Sequence, residues 1–255
     1  GMLDTALAAC GIKSRNSDHL TMGYARLSAG RTSVIIDAGP PATGNASYNA
    51  HASTLAFELT SGRRPLIVSC GSGAHLGPDW HRAGRATPSH STLCLGGYSS
   101  ARLGKPVKTS GVYRELLVEA PKIVPVEMSQ TAEGVKFEGA HSGYVPPFGL
   151  THARKLSLSL DGRSLAGEDL LIALDDTAGN AGETVLSDDI NPNVDFQIRF
   201  HLHPEVDAAL DLGGTTVAIA AKSGEIWIFR HESKLSLTIE PGVYLEKNQH
   251  RRNRC

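Results

Sequence analysis

The 255-residue chain has few cysteines, few aromatic residues and almost no net charge. Its four cysteines, Cys10, Cys70, Cys94 and Cys255, show neither paired metal spacing nor the density of a disulfide framework. They read as free thiols and leave the cellular compartment open, periplasm and cytoplasm alike. A formal net charge of −1 gives no overall field for a polyanion, so nucleic acid is not expected as a partner. No stretch approaches the ~18 uninterrupted apolar residues of a membrane span, and none is expected. The run from Met2 to Cys10 places Asp4 where a signal peptide carries positive charge, and its apolar part is short. No signal peptide is therefore expected after Met2, and Gly1 reads as a tag remnant, although an export signal could have been lost upstream. Walker-type phosphate loops, Gly-x-Ser-x-Gly elbows and Cys-x-x-Cys pairs are also missing, which removes support for nucleotide hydrolysis, esterase chemistry and zinc-finger readings.

What the chain has in quantity is short alternating segments bounded by turn residues. Leu20 to Leu27 and Thr32 to Asp37 read as a hairpin around Ala29-Gly30-Arg31. Leu66 to Cys70, Gly111 to Val118, Gly134 to Ala140 and Leu170 to Leu174 read as further strands. In Thr151 to Leu160, the residues Leu156, Leu158 and Leu160 face one way and Ser157 and Ser159 the other, before an Asp161-Gly162 turn. From Asp195 to His203, Phe196, Ile198, Phe200 and Leu202 alternate with Gln197, Arg199, His201 and His203. Val217 to Ala220, Ile226 to Arg230 and Leu235 to Ile239 complete the series. Gly71 to Pro88 and residues 175–193 read as loops. The pattern predicts an all-β fold, a large antiparallel two-sheet β-sandwich with few or no long helices. Residues 1–19 are a lead-in, 20–245 the sandwich domain, and 246–255 a basic, frayed tail.

The histidines carry the chemistry. If Ser47 to Leu59 is extended, His51, Ser53, Leu55, Phe57 and Leu59 share one face, and His51 heads a row that ends in core. Ser89 to Leu95 repeats the arrangement with His90 at its head, so two strands could bring the imidazoles together. Two imidazoles alone fall short of the three or four ligands of a zinc site, and a structural role competes with ligation. His201 and His203, about 7 Å apart on one strand face, suit chelation or a hydrogen-bonded row equally. The pairs Asp175-Asp176 and Asp188-Asp189 could meet calcium but lack the spaced oxygen ligands of a known loop.

The ordered set Gly23 to Leu27, Ala50 to Leu59, Arg85 to Leu93, His141-Ser142-Gly143-Tyr144 and Arg199 to Pro204 resembles the C-terminal β domain of heparinase II/III-like proteins, over roughly residues 20–245. Members of that family are polysaccharide lyases that cleave uronic-acid glycans by β-elimination, a base taking the C5 proton and an acid protonating the leaving oxygen at C4. The resemblance implies an α/α toroid ahead of the sandwich, and that helical domain, home of the catalytic tyrosine, has no counterpart in these residues. It also implies an acidic polysaccharide as partner and a helical domain encoded upstream or made separately. His51 and His90 match two ligands of the family's structural zinc, with Ser69 at the place of the usual aspartate ligand. Asn49 stands at the position of the catalytic-side histidine, so catalytic roles are carried over to His51 and Asn49. Arg82, Arg85, His141 and Tyr144 are the implied substrate-binding residues, the arginines as bidentate partners of a sugar carboxylate.

Two functions of different class follow. In the first, which the resemblance favours, the chain is the β domain of a polysaccharide lyase and lends His51, His90 and nearby polar groups to one wall of a cleft. In the second, it is a non-catalytic module that binds carbohydrate or serves as scaffold, the replacements at Asn49 and Ser69 marking the loss.

Overall fold

The computed structural model describes residues 20–109, 111–173, 194–233, 235–246 and 249–255. Its strands are β1 (Tyr24–Ala29), β2 (Thr32–Asp37), β3 (Phe57–Ser61), β4 (Arg64–Val68), β5 (Leu93–Leu95), β6 (Arg102–Leu103) and β7 (Val107–Thr109). They continue as β8 (Val112–Arg114), β9 (Leu117–Glu119), β10 (Val126–Gln130), β11 (Gly134–His141), β12 (Leu150–Ser159) and β13 (Leu165–Ala173). The last seven are β14 (Phe196–Ile198), β15 (His201–Leu202), β16 (Val206–Asp211), β17 (Thr216–Ala221), β18 (Ile226–Arg230), β19 (Pro241–Glu246) and β20 (Gln249–Arg254). Every pairing is antiparallel, and among the described residues one helix, Pro78–Gly84, reaches seven residues.

Two sheets make the sandwich, one ordered β1-β2-β3-β4-β15 and the other β10-β11-β12-β13. Alternation puts Ala25, Leu27, Val34, Ile36, Phe57 and Leu59 on the inner face of the first, against Val126, Phe137, Leu156 and Leu158 of the second. A smaller sheet, β16-β17-β18, closes the same core with Val206, Val217 and Ile219. Phe137 is fully buried, and truncating such a ring to Ala costs about 3–5 kcal/mol. The sheets are fastened at one end where two hairpin turns meet. Gly30 and Gly162 both have positive φ, and a Cβ on either would collide with the backbone of the other turn. The Thr32 hydroxyl donates to Gly162 O across the junction at 2.6 Å.

The all-β antiparallel architecture agrees with the sequence pattern, and several local expectations do not. The predicted strand from Ser47 to Leu59 is a strand only from Phe57 onward; Gly44–Asn49 is a 3-10 helix and residues 50–56 are irregular. Leu55 takes φ = 65°, a left-handed backbone that no strand contains. Side chains meet three carbonyls of this stretch, those of Ala50, Ala52 and Leu55. Likewise Ser89 to Leu95 is a strand only over β5, because Pro88 sits in a 3-10 turn that His90 ends.

The run from Asp195 to His203 is two strands, β14 paired with β5 and β15 paired with β4, so the chain changes sheets at Arg199-Phe200. Leu235 to Ile239 is not a strand; Leu237 and Ile239 pack on the core without ladder bonds. The loop from Gly71 to Pro88 contains the helix Pro78–Gly84. Residues 249–254, expected as a frayed tail, form β20 against β19. Asn253 is buried there and donates to Leu202 O at 2.9 Å, while Arg252 and Arg254 point to solvent. The arginines signalled a solvated strand face, and composition alone cannot separate that from a loose end. Residues 1–19 and the acidic pairs Asp175-Asp176 and Asp188-Asp189 lie outside the described residues.

Candidate functional site: two histidine pairs

His51 and His90 do meet, although from loops and not from adjacent strands. His51 Nδ1 lies 3.2 Å from His90 Nε2, and His90 Nδ1 lies 3.0 Å from Ser69 Oγ. The loops are held by buried donors. Arg85 gives Nε to Ala50 O at 2.8 Å, Nη1 to Glu115 O at 2.9 Å and Nη2 to Ser47 O at 2.6 Å. Thr87 Oγ1 donates to Ala52 O at 2.6 Å, and Ser91 Oγ donates to Val68 O at 2.8 Å. His90 is 3% exposed, and burial lowers its pKa to about 3, helped by the neighbouring His51 and His201. Burial also lowers His51 to about 4, with Arg85 and His81 adding repulsion. Both rings are neutral near pH 7.

As a metal site the pair is incomplete. Two imidazole nitrogens 3.2 Å apart could share an ion, but a structural zinc takes four ligands. Among the described residues no three His, Cys, Asp or Glu side chains gather in a ligand set. The group at the aspartate's place, Ser69, is a neutral hydroxyl and a poor zinc ligand. The residues present do not fit the ion that the resemblance implies.

The other predicted site residues scatter. Asn49 is exposed beside His51's loop. Arg82 is exposed and forms an ion pair with Glu115 at 2.5 Å. Arg85 is 1% exposed, and the three carbonyls above take its donors. Tyr144 is fully buried with its hydroxyl donated to Leu93 O at 2.8 Å, and burial pushes its pKa far up. His141 is 1% exposed. These three hold the fold together and do not reach a ligand on the surface. His201 turns inward to Cys70 Sγ at 3.4 Å and Pro88 O at 2.8 Å, whereas His203 accepts from Glu205 N at 3.2 Å, so the two make no common site.

The fold contains a second imidazole pair that the sequence did not single out as a pair. His141 on β11 stands opposite His152 on β12, and Arg154 on β12 stands opposite Asp169 on β13. Donors and acceptors fix the tautomers. Gly143 N–H donates to His141 Nδ1 at 3.0 Å, so the His141 proton is on Nε2 and goes to His152 Nδ1 at 3.1 Å. His152 therefore carries its proton on Nε2 and donates to Asp169 Oδ1 at 2.7 Å. Arg154 grips the same carboxylate with Nε and Nη2, each at 2.8 Å, and sends Nη1 to Leu55 O and Ser91 O at 2.8 and 3.0 Å. Burial alone would raise Asp169, but Arg154 and His152 outweigh it and hold the carboxyl well below its usual range. Burial keeps His141 and His152 neutral. A signal for this cluster was present, since His152 and Arg154 fall in the same alternation as the core leucines of β12.

Arg154 thus links the two pairs, because Leu55 and Ser91 lie on the loops that carry His51 and His90. Comparison with known proteins agrees with this architecture. The family described as heparinase II/III-like, C-terminal, matches residues 13–255. The FtsZ-localized protein C of Caulobacter vibrioides is 32% identical over 233 residues, which cover 88% of this chain and 37% of that protein. Among solved structures, a mutant heparan sulfate lyase HepC from Pedobacter heparinus gives a TM-score of 0.63 at 16% identity, covering 91% of this chain and 31% of that one. The heparinase III BT4657 gene product gives 0.62 at 15% identity, over 93% and 32%. Identities this low show the shared fold alone, and the chain spans only about a third of each of these proteins. The chain belongs to the heparinase II/III-like C-terminal domain family.

Proposed function

We propose that the chain is a non-catalytic β domain of a longer protein, kept as a folded module for localisation with FtsZ and not for β-elimination on an acidic polysaccharide. One observation carries this reading: the line His51, His90, Ser69 contains only neutral groups, with no acid to raise either imidazole. A base whose conjugate acid titrates at about 4, as in His51, is poorly matched to taking a C5 proton near neutral pH. Asn49 beside it cannot act as a base there. Arg85, His141 and Tyr144 are committed to internal hydrogen bonds. The relative at 32% identity is named for its localisation with FtsZ, whereas the lyases share the fold at 15–16% identity.

The lyase reading retains one support, the fold shared with heparan sulfate lyases, and it requires a helical domain to supply the missing catalytic groups and zinc to fill the degenerate site. Both readings are decided on the longest natural protein that carries the domain. In cells, a fluorescent fusion is expected to follow the FtsZ ring, and deletion of residues 20–255 is expected to disperse it. In vitro, the same protein incubated with heparan sulfate and other uronic-acid polymers is expected to give no rise in the ultraviolet absorbance of an unsaturated product. A sustained rise that His51→Ala abolishes would establish the lyase instead.

A further inference from the structure

A second surface, which shares no residue with either histidine pair, has the make-up of a sugar site. Between β5 and Tyr98 the chain turns through Gly96 and Gly97, whose φ values of 55° and 74° are both positive, with Tyr98 N–H donating to Leu95 O at 2.8 Å. Positive φ at both central positions is the type I′ geometry, which only residues such as glycine enter without strain. Gly96 is needed twice over, because a Cβ there would strike the Phe148 ring. The turn presents Tyr98 56% exposed, its ring edge-on to Phe148 at 5.2 Å and 88°. A rigid aromatic is thereby fixed at the rim of a cleft of about 450 Å³, inside the range of about 300–1,000 Å³ typical of small-molecule sites.

The polar lining comes from β14 and the residue before it. Asp195 brings an exposed carboxylate, and its main-chain oxygen accepts from Gly96 N–H at 2.6 Å, which ties it to the aromatic turn. Gln197 has its carbonyl end held by Arg199 Nε and Nη2 at 3.3 and 2.9 Å, so its amide NH₂ is the end left to donate. The cleft therefore offers an aromatic face, one anionic acceptor and one amide donor. An aromatic face is electron-rich and attracts the weakly positive C–H face of a pyranose. A carboxylate and an amide match vicinal hydroxyls, each of which donates and accepts. The same carboxylate repels a uronate.

We infer that this cleft binds a neutral pyranose unit of a glycan, stacked on Tyr98 and hydrogen-bonded by Asp195 and Gln197. The inference is independent of the function proposed above, since the cleft shares no residue with the His51–His90 site. Its test is calorimetric titration of the full chain with cellotetraose and chitotetraose, set against a heparan sulfate tetrasaccharide. Saturable binding of a neutral oligosaccharide is expected, weakened at least about tenfold by Tyr98→Ala and unchanged by Tyr113→Ala, an exposed tyrosine outside the cleft. Tyr98 is exposed, so the variant should fold, which its circular dichroism checks; Asp195→Asn offers a second, milder probe and should narrow the preference for neutral over acidic sugar. Absence of saturable binding to either neutral sugar overturns the inference. So does binding that Tyr98→Ala leaves intact, or stronger binding of the heparan sulfate fragment.

Discussion

The two imidazole pairs have nearly the same separation, with rings tilted at 60° in the first and edge-on at 85° in the second, and opposite surroundings. Ring centroids are 5.1 Å apart in both, with nitrogens in contact at 3.2 Å for His51 and His90 and at 3.1 Å for His141 and His152. The first pair sits on loops and ends at the Ser69 hydroxyl; the second is set by strand register and ends at a carboxylate that Arg154 also grips. Contact between histidines is thus uninformative about chemistry by itself. The group at the end of the line separates the two: one pair is anchored to a buried carboxylate, the other ends at a neutral hydroxyl.

The largest expected effect breaks the second pair. Asp169→Ala leaves Arg154 buried without its counter-ion and His152 without its acceptor, and losses of about 3–5 kcal/mol follow from stripping one partner from a buried ion pair. Ser69→Ala removes one neutral hydrogen bond from His90 and should cost about 1 kcal/mol. Urea unfolding of both variants checks the contrast. Equal losses would mean that the two clusters carry the fold alike, against their different surroundings.

Acid should separate the buried imidazoles, those of His141 and His152 included, from the Asp169 carboxylate by pH window. His51 and His90 titrate at about 4 and about 3 when folded but at about 6.5 when unfolded. As pH falls from about 6.5 toward about 4, the unfolded chain takes up protons that the folded chain refuses, so stability is lost on acidification. For buried His90 alone the loss is about 2 kcal/mol by about pH 5, at about 1.4 kcal/mol per pKa unit. Asp169 acts lower: its folded pKa is depressed, so its contribution is present above about 3.9 and lost as pH falls below that value. Urea midpoints taken between neutral and mildly acid pH should slope less steeply in His90→Gln, whereas Asp169→Asn should leave the slope of that window in place.

Much of the architecture was legible because alternation is a direct image of a two-faced sheet. The β1–β2 hairpin, β11, β12 and the Asp161-Gly162 turn follow from it. The pattern failed where side chains replace ladder partners. Residues 50–56 alternate like a strand, yet Arg85, Thr87 and Arg154 bond that loop's carbonyls and Leu55 turns left-handed. The meeting of His51 with His90 was anticipated from the sequence, while the fate of Arg85, His141 and Tyr144 was not. An arginine that binds three carbonyls and one that binds a sugar look the same in sequence, because burial arises from distant segments such as Ser47 and Glu115. The His141–Asp169 line depends on register across three strands, which no local pattern encodes.

The smallest and sharpest intervention converts the first pair toward the second. Ser69→Asp puts a carboxylate where His90 Nδ1 now meets a hydroxyl at 3.0 Å. An opposite charge in contact favours the protonated ring, so the His90 pKa should rise from about 3 by at least about one unit. Histidine proton shifts followed by NMR through acid titration would show it. The new carboxylate faces Nδ1, the nitrogen turned away from His51, so it orients and charges His90 from behind, as Asp169 does for His152, and adds no third ligand between the two rings. If the His90 signals titrate in the variant as in the unaltered chain, the charge at the end of the line does not govern the ring, and the difference between the two pairs is smaller than their neighbours imply.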